Sequence, residues 1–123
     1  MYNTPPCYSI YMAGEVFKYL KSIGGVKEMH ERDVRKAGKL YDYLDHSEMF
    51  TPTVAKEDRS LMNVTFVTGD PELDKKFVAG ARERGMLNLA GHRTTGGMRA
   101  SIYNAMPEEG VDALIAYMKR IRR

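Results

Sequence analysis

The clearest change of pattern in the chain lies in Leu61-Met62-Asn63-Val64-Thr65-Phe66-Val67-Thr68-Gly69-Asp70-Pro71-Glu72. From Leu61 to Val67 apolar and polar residues alternate, which is typical of a half-buried strand. A turn follows at Gly69, and Asp70 with Pro71 provides the residue types that cap and begin a helix. A strand that leads directly into a helix predicts a mixed fold in which helices cover a sheet.

Apolar spacing and turn residues divide the rest of the chain into short elements. Helices are predicted from Ser9 to about Ile23, from Val26 to Asp45, from Asp70 to Gly85 and from Pro107 onward, and strands at Leu61–Val67, Met86–Leu89 and Met98–Tyr103. The segment 51–60 is predicted to be a polar loop. The apolar stripe of the first helix consists of Ile10, Ala13, Phe17 and Leu20. The predicted order is α-α-β-α-β-β-α, an α+β fold with a small, mostly antiparallel, three-stranded sheet covered by helices.

A length of 123 residues predicts a single domain over 1–123, with an extended segment at 1–8 because Pro5 and Pro6 disfavour helix before them. No apolar run reaches the length of a membrane span, and the first six residues lack the regions of a secretory signal. The single cysteine, Cys7, makes a disulfide framework impossible and favours a reducing cytoplasm. His30 and His46 have no second ligand at metal spacing, so no metal site is expected.

Charge also limits the function classes. The formal net charge is +3, from 19 Lys and Arg against 16 Asp and Glu. Acids and bases alternate along the predicted helices, and the basic end (Lys119, Arg120, Arg122 and Arg123) complements a helix dipole. This pattern lacks the basic stripe of a nucleic-acid binder, and we expect no nucleic-acid partner.

The densest polar stretch is Gly91-His92-Arg93-Thr94-Thr95-Gly96-Gly97-Met98-Arg99. Glycines let backbone amides approach a ligand, and the planar fork of arginine matches carboxylate or phosphate oxygens. We therefore expect Arg93 and Arg99 to bind a small molecule with two anionic groups, with His92 donating to one of them. The alternative is an ordinary turn with solvated arginines. Arg99 is the sharper candidate, because a charge inside an apolar strand is costly to bury unpaired.

Other polar residues indicate structural roles. Asp58 and Arg59 are expected to form an ion pair that pins the loop before the Leu61 strand. Lys36, like most of the lysines, is expected on a polar helix face. No catalytic triad, acid pair or metal quartet is complete, so no catalytic residue is predicted in this chain.

Three blocks of sequence resemble phosphoserine aminotransferases. They are Asn3-Thr4-Pro5-Pro6, Glu57-Asp58-Arg59-Ser60-Leu61-Met62-Asn63-Val64-Thr65-Phe66, and the region from Gly91-His92-Arg93 through Gly96-Gly97 to Arg99-Ala100-Ser101-Ile102-Tyr103-Asn104-Ala105-Met106-Pro107. The resemblance covers essentially the whole chain, but it corresponds to the carboxy-terminal small domain of such an enzyme. It implies a homodimeric, pyridoxal-phosphate-dependent transaminase of fold type I, in serine and often pyridoxine biosynthesis.

The resemblance also implies roles for particular residues. Asn3 and Thr4 would hydrogen-bond the phosphate of the cofactor in the neighbouring subunit. His92 and Arg93 would bind the phosphate of the substrate, and Arg99 its α-carboxylate. The substrates implied are glutamate and 3-phosphohydroxypyruvate, which become 2-oxoglutarate and phosphoserine.

The chain departs from the family in one respect: the lysine that forms the Schiff base has no counterpart in it. Without that lysine the chain alone is not expected to transaminate or to hold the cofactor stably. Two alternatives remain open, a stand-alone binding module for phosphorylated acids and a small subunit that complements a separately encoded large domain. The resemblance implies that this domain packs on the large one, so in the chain alone the stretch Asn3–Tyr11 would expose apolar surface and self-association is also expected.

Overall fold

The computed structural model describes residues 2–121. Its helices are α1 (Cys7–Ser22), α2 (Gly25–Asp45), α3 (Pro71–Glu83) and α4 (Glu108–Arg120), its strands are β1 (Thr51–Pro52), β2 (Asn63–Val67) and β3 (Met98–Ser101), and a 3-10 turn covers Lys56–Asp58. Arg122 and Arg123, which belong to the predicted basic end, lie outside the described residues. Within residues 2–121, no helix combines the length and apolar character needed to cross a membrane.

The three strands form one antiparallel sheet in the order β1-β2-β3. In its register Val64 lies opposite Ala100 and Phe66 opposite Met98, and these side chains are buried. The alternate residues, including Thr65 opposite Arg99, point to the other face of the sheet. The predicted α+β class and the small antiparallel sheet are thereby confirmed.

One predicted strand is wrong, and another segment takes its place in the sheet. Residues 86–89 form no strand, because Asn88 has a φ of 60°, a left-handed conformation that interrupts extended backbone. The segment touches β3 only through the bridge between Ala90 and Met98 and the bond from the Arg99 amide to the Leu89 carbonyl (2.8 Å). The third strand is instead β1, which lies inside the predicted loop 51–60.

The described residues fall into two compact units that divide after Arg32. The core of the second unit is built around three phenylalanines, Phe50, Phe66 and Phe77. Their ring centroids lie 5.2 to 6.0 Å apart in edge-to-face geometry. This arrangement suits the quadrupoles of the rings and ties α3 to the sheet.

In the first unit, α1 begins at Cys7, two residues earlier than predicted, which shortens the predicted extended segment. None of its residues is buried. The predicted apolar stripe is exposed in this structure: Ile10 is 58% and Phe17 is 66% exposed. Helical spacing predicts an apolar face, but it does not say that the partner of that face lies in the same chain.

Candidate functional site

The glycine-rich segment 91–97 forms a closed loop just before β3. The Gly91 amide donates to the Gly97 carbonyl (2.9 Å), and the Gly96 amide donates to the His92 carbonyl (2.8 Å). A Cβ atom at Gly91 would overlap the carbonyl group of Gly96, and Gly97 has a φ of 66°. The loop therefore needs glycine at these positions, one for close approach and one for a left-handed backbone.

His92 is exposed and is held by its own loop. Its Nδ1 atom lies 2.7 Å from the Thr94 hydroxyl and also accepts a longer bond (3.4 Å) from the Thr94 amide. Because a backbone amide can only donate, the contact favours the tautomer that carries its proton on Nε2. In that tautomer the outer edge of the ring presents a donor to an anion.

His92 and Arg93 line a groove of about 780 Å³ between the glycine loop and α3. Lys75, Arg82, Asp74 and Glu83 of α3 line the same groove. Lys75 is paired with Glu72 at 2.7 Å, and Asp74 accepts from the backbone and side chain of Thr68. No carboxylate of residues 2–121 forms an ion pair with Arg93, so its guanidinium is available to an anion.

Arg99 does not line this groove. It lies on β3, on the face of the sheet opposite the core, and its Nε atom is buried without a hydrogen-bond partner. A buried donor without an acceptor is unfavourable, which is consistent with a ligand oxygen completing the site. The structure thus brings His92 and Arg93 together and places Arg99 apart from them, so the role of each residue stays a prediction.

A polar network surrounds Arg99 on this open sheet face, and the sequence reasoning assigned it no function. Asn63 accepts from the Ser101 hydroxyl (3.1 Å) and donates to the Tyr103 hydroxyl (3.2 Å). Thr65, the cross-strand neighbour of Arg99, shares a 2.6 Å hydrogen bond with Thr53. The alternation of β2 did indicate that Asn63 and Thr65 would avoid the core, and this is the signal that could have found the network.

Arg59 pins its loop, but its partner differs from the predicted one. It forms a two-pronged pair with Asp45 of α2 (2.9 and 2.6 Å) and stacks 4.5 Å above the Tyr41 ring, whereas Asp58 forms no such pair. The hydrogen bonds from Arg59 lower the pKa of Asp45 to about 2. The pair anchors the start of the segment that leads into β2.

Lys36 is buried, and the expectation that it sits on a polar helix face is wrong. Its ammonium group lies 3.1 Å from Asp33 and donates to three carbonyls of the turn after β3, those of Ile102, Tyr103 and Met106 (2.9 to 3.2 Å). Only 3% of the residue is exposed. These contacts give Lys36 a structural role in holding the turn after β3.

The residues expected to touch a cofactor fit only part of that task. Asn3 and Thr4 are exposed residues before α1, and their amide and hydroxyl donors suit a phosphate group. Covalent attachment of pyridoxal phosphate needs a lysine that can reach the cofactor. Lys36, the buried lysine among residues 2–121, is held by the turn after β3, and the lysine that the resemblance implies has no counterpart in this chain. No step through that cofactor is therefore assigned to this chain.

Comparison with known proteins adds an independent line of argument. The family model "Aminotransferase class-V" matches residues 1–114. A phosphoserine aminotransferase of Haemophilus influenzae is 55% identical over 98% of this chain and 33% of its own length. One from Lactiplantibacillus plantarum is 57% identical over 96% of this chain and 33% of its own length. The chain spans about a third of the length of the curated relatives it matches.

Solved structures of phosphoserine aminotransferases are also similar to this chain. The phosphoserine aminotransferase from Bacillus circulans subsp. alkalophilus superposes with a TM-score of 0.91 at 42% identity, covering 96% of this chain and 33% of that chain. A structure described as pyridoxal-phosphate-bound phosphoserine aminotransferase from Trichomonas vaginalis gives a TM-score of 0.89 at 41% identity, covering 98% and 35%. The likeness therefore extends over the fold as well as the sequence.

Proposed function

Because the chain belongs to the class-V aminotransferase family, we propose that it is the small-domain portion of a phosphoserine aminotransferase. The reaction moves an amino group from glutamate to 3-phosphohydroxypyruvate and yields phosphoserine and 2-oxoglutarate. High identity over nearly the whole chain supports this assignment. The homodimer, the place in serine and pyridoxine biosynthesis and the cytoplasmic location are parts of the same proposal.

In this proposal the chain grips the substrate. His92 and Arg93 bind the phosphate group from the groove, and Arg99 binds the α-carboxylate from the open sheet face. Pyridoxal phosphate, when bound to a complete enzyme, supplies the electron sink for the transfer. The observation that carries the proposal is the buried Nε atom of Arg99, a charge-bearing donor left without an acceptor beside an ordered polar network.

The test is a chimera in which this chain replaces the corresponding third of the Haemophilus influenzae enzyme, to which it is 55% identical. We expect the chimera to transaminate. Arg99→Ala should lower kcat/KM for glutamate and for phosphoserine alike, because both carry an α-carboxylate. Arg93→Ala should lower it for phosphoserine only. Losing a hydrogen bond to a charged group costs roughly 10- to 100-fold in rate.

Arg120→Ala is the matched control, since Arg120 is an exposed arginine in the last turn of α4. It should leave both values of kcat/KM unchanged. An Arg99→Ala chimera with full activity would contradict the assignment of the carboxylate. An equal loss for both substrates in Arg93→Ala would contradict the assignment of the phosphate.

A further inference from the structure

Thr94 holds the imidazole ring of His92 from within the glycine loop. Its hydroxyl lies 2.7 Å from Nδ1 of His92, and its backbone amide donates to the same atom over 3.4 Å. These two contacts are the hydrogen bonds of the ring within residues 2–121. We propose that Thr94 is a positioning residue that makes this chain selective for a phosphorylated substrate, because it presents the Nε2–H group of His92 to the phosphate. This inference rests on the proposed function.

The loop fixes the backbone on both sides of the ring. The His92 carbonyl accepts from the Gly96 amide (2.8 Å), and the Gly91 amide donates to the Gly97 carbonyl (2.9 Å). With the backbone held, only the side-chain torsions of His92 remain to turn the ring. The Thr94 hydroxyl restricts those torsions before a ligand arrives, so less order has to be gained on binding.

The same contacts decide which ring nitrogen carries the proton. A backbone amide can only donate, so Nδ1 of His92 has to accept, and the hydroxyl of Thr94 then donates to Nδ1 as well. The proton of the neutral ring is therefore on Nε2. Phosphate oxygens are acceptors, and a ring in the other tautomer would present a lone pair to them.

Arg93 makes this choice of tautomer important for the ligand. Arg93 and His92 line the same groove, and no ion pair joins Arg93 to a carboxylate of residues 2–121. An anion bound by the guanidinium thus has a second donor in the groove only while His92 keeps its proton on Nε2. Under the proposed function this groove receives the phosphate group, which phosphoserine has and glutamate lacks. Thr94 should therefore affect the first substrate and not the second.

His46 provides an internal reference for the opposite tautomer. Its Nδ1 atom lies 2.8 Å from the Asp42 carbonyl, which can only accept, so Nδ1 of His46 carries the proton. Nitrogen NMR of the histidine rings in the 123-residue chain, at about pH 9 where histidine side chains are neutral, distinguishes the two tautomers. We expect Nε2–H for His92 and Nδ1–H for His46, with the His92 signals assigned by their loss in His92→Gln. A proton on Nδ1 of His92 would overturn the inference.

Thr94→Val in the chimera described above tests the effect on the substrate. Valine has the shape of threonine without the hydroxyl, so kcat/KM for phosphoserine should fall roughly 3- to 10-fold through the loss of one hydrogen bond. The value for glutamate should stay unchanged, and Thr94→Ser, which keeps the hydroxyl, should restore most of the loss. Thr95→Val is the matched control: the Thr95 hydroxyl lies 3.5 Å from the His92 carbonyl and forms no hydrogen bond to the ring.

A double-mutant cycle shows whether Thr94 acts through the ring. In a His92→Ala chimera, Thr94→Val should cause no further loss for phosphoserine, because the group that it positions is gone. An equal loss with and without the imidazole, a loss shared by glutamate, or full activity of Thr94→Val toward phosphoserine would overturn the inference and leave the proposed function standing. A chimera without any transamination would instead overturn the proposed function and this inference with it.

Discussion

A single lysine holds the connection between β3 and α4. Lys36 donates to three carbonyls of the turn 102–106 and lies against Asp33, which is also buried. Carbonyls at the end of a strand need partners when water is excluded, and one ammonium group with three donors supplies them. The turn it fixes carries Tyr103, whose hydroxyl meets Asn63 beside Arg99. The polar network near Arg99 is thus supported from within the second unit.

Lys36→Met should destabilise the chain by about 3–5 kcal/mol, because it leaves Asp33 as an uncompensated buried charge and three carbonyls unsatisfied. The measurement is the free energy of unfolding in urea. Lys76→Met, at an exposed position of α3, is the control and should change it by less than about 0.5 kcal/mol. Adding Asp33→Leu to Lys36→Met should restore part of the loss; no recovery would argue against an unpaired charge as its cause.

The pair between Asp45 and Arg59 makes stability depend on pH. The pKa of Asp45 is lowered from 3.8 to about 2 in the folded chain, chiefly by hydrogen bonds from Arg59. The pair therefore stabilises the fold fully above pH 3.8 and loses its effect as the pH falls to about 2. The difference in unfolding free energy between wild type and Asp45→Asn should shrink over that interval.

Arg59→Gln removes the other partner of the same pair. The difference in unfolding free energy between wild type and this variant, measured in urea, should also shrink as the pH falls. A difference from wild type that stays constant from neutral pH down to pH 2 in both variants would mean that the ion pair does not stabilise the fold.

Neither of these residue pairings followed from the sequence. Lys36 meets carbonyls 66 to 70 residues away, and Arg59 meets a carboxylate 14 residues before it rather than the adjacent Asp58. The spacing of residues along the chain indicates contacts between neighbours in sequence. It gives no information on contacts between residues that are far apart in sequence. By the same reasoning a lysine between charged residues is expected to be solvated. A lysine can instead be buried where enough hydrogen-bond acceptors surround its ammonium group.

At the scale of elements, the sequence predicted helices better than strands. α2, α3 and α4 lie within about two residues of their predicted bounds, because caps, prolines and apolar spacing are local signals. β1 has two residues and belongs to the sheet only through its pairing with β2, so no local pattern could indicate it. The residues at 86–89 look extended in sequence, but the left-handed Asn88 prevents a ladder.

The candidate site was also predicted only in part from the sequence. The glycine loop and its His92 and Arg93 could be found from composition, since glycines and arginines concentrated in nine residues are unusual. That Arg99 would face away from their groove follows only from the register of β3, in which Met98 and Ala100 are the buried residues. The sequence indicated the right types of residue, but not which of them would share the groove.

Gly91→Ala tests the loop as an element. The added methyl group would overlap the Gly96 carbonyl, so the loop must open, at a cost of about 1–3 kcal/mol in unfolding free energy. Gly38→Ala, in the interior of α2 with open space around it, should instead stabilise the chain by about 1 kcal/mol. Thermal and urea unfolding of both variants provide the measurement; equal effects would mean that the loop tolerates a side chain.

At the scale of the whole molecule, the proposed function gives this chain the groups that bind the substrate, whereas the lysine that forms the Schiff base in the family has no counterpart in it. We expect the purified 123-residue chain to show no transamination of phosphoserine, because the lysine that forms the Schiff base in the family has no counterpart in this chain. Measurable turnover by the chain alone would contradict this.

Calorimetry with phosphoserine separates the main proposal from a stand-alone binding module. Tight binding that Arg99→Ala abolishes would favour the module.

The short strand at one side of the sheet also governs how copies of the chain can meet. Pro52 has no amide hydrogen, so β1 cannot donate there to an incoming strand. On the other side, the amide of Arg99 is already taken by the carbonyl of Leu89. Growth of the sheet by added strands, the route to fibrils, is therefore obstructed at both borders. Concentrated solutions of this protein should therefore contain no cross-β material.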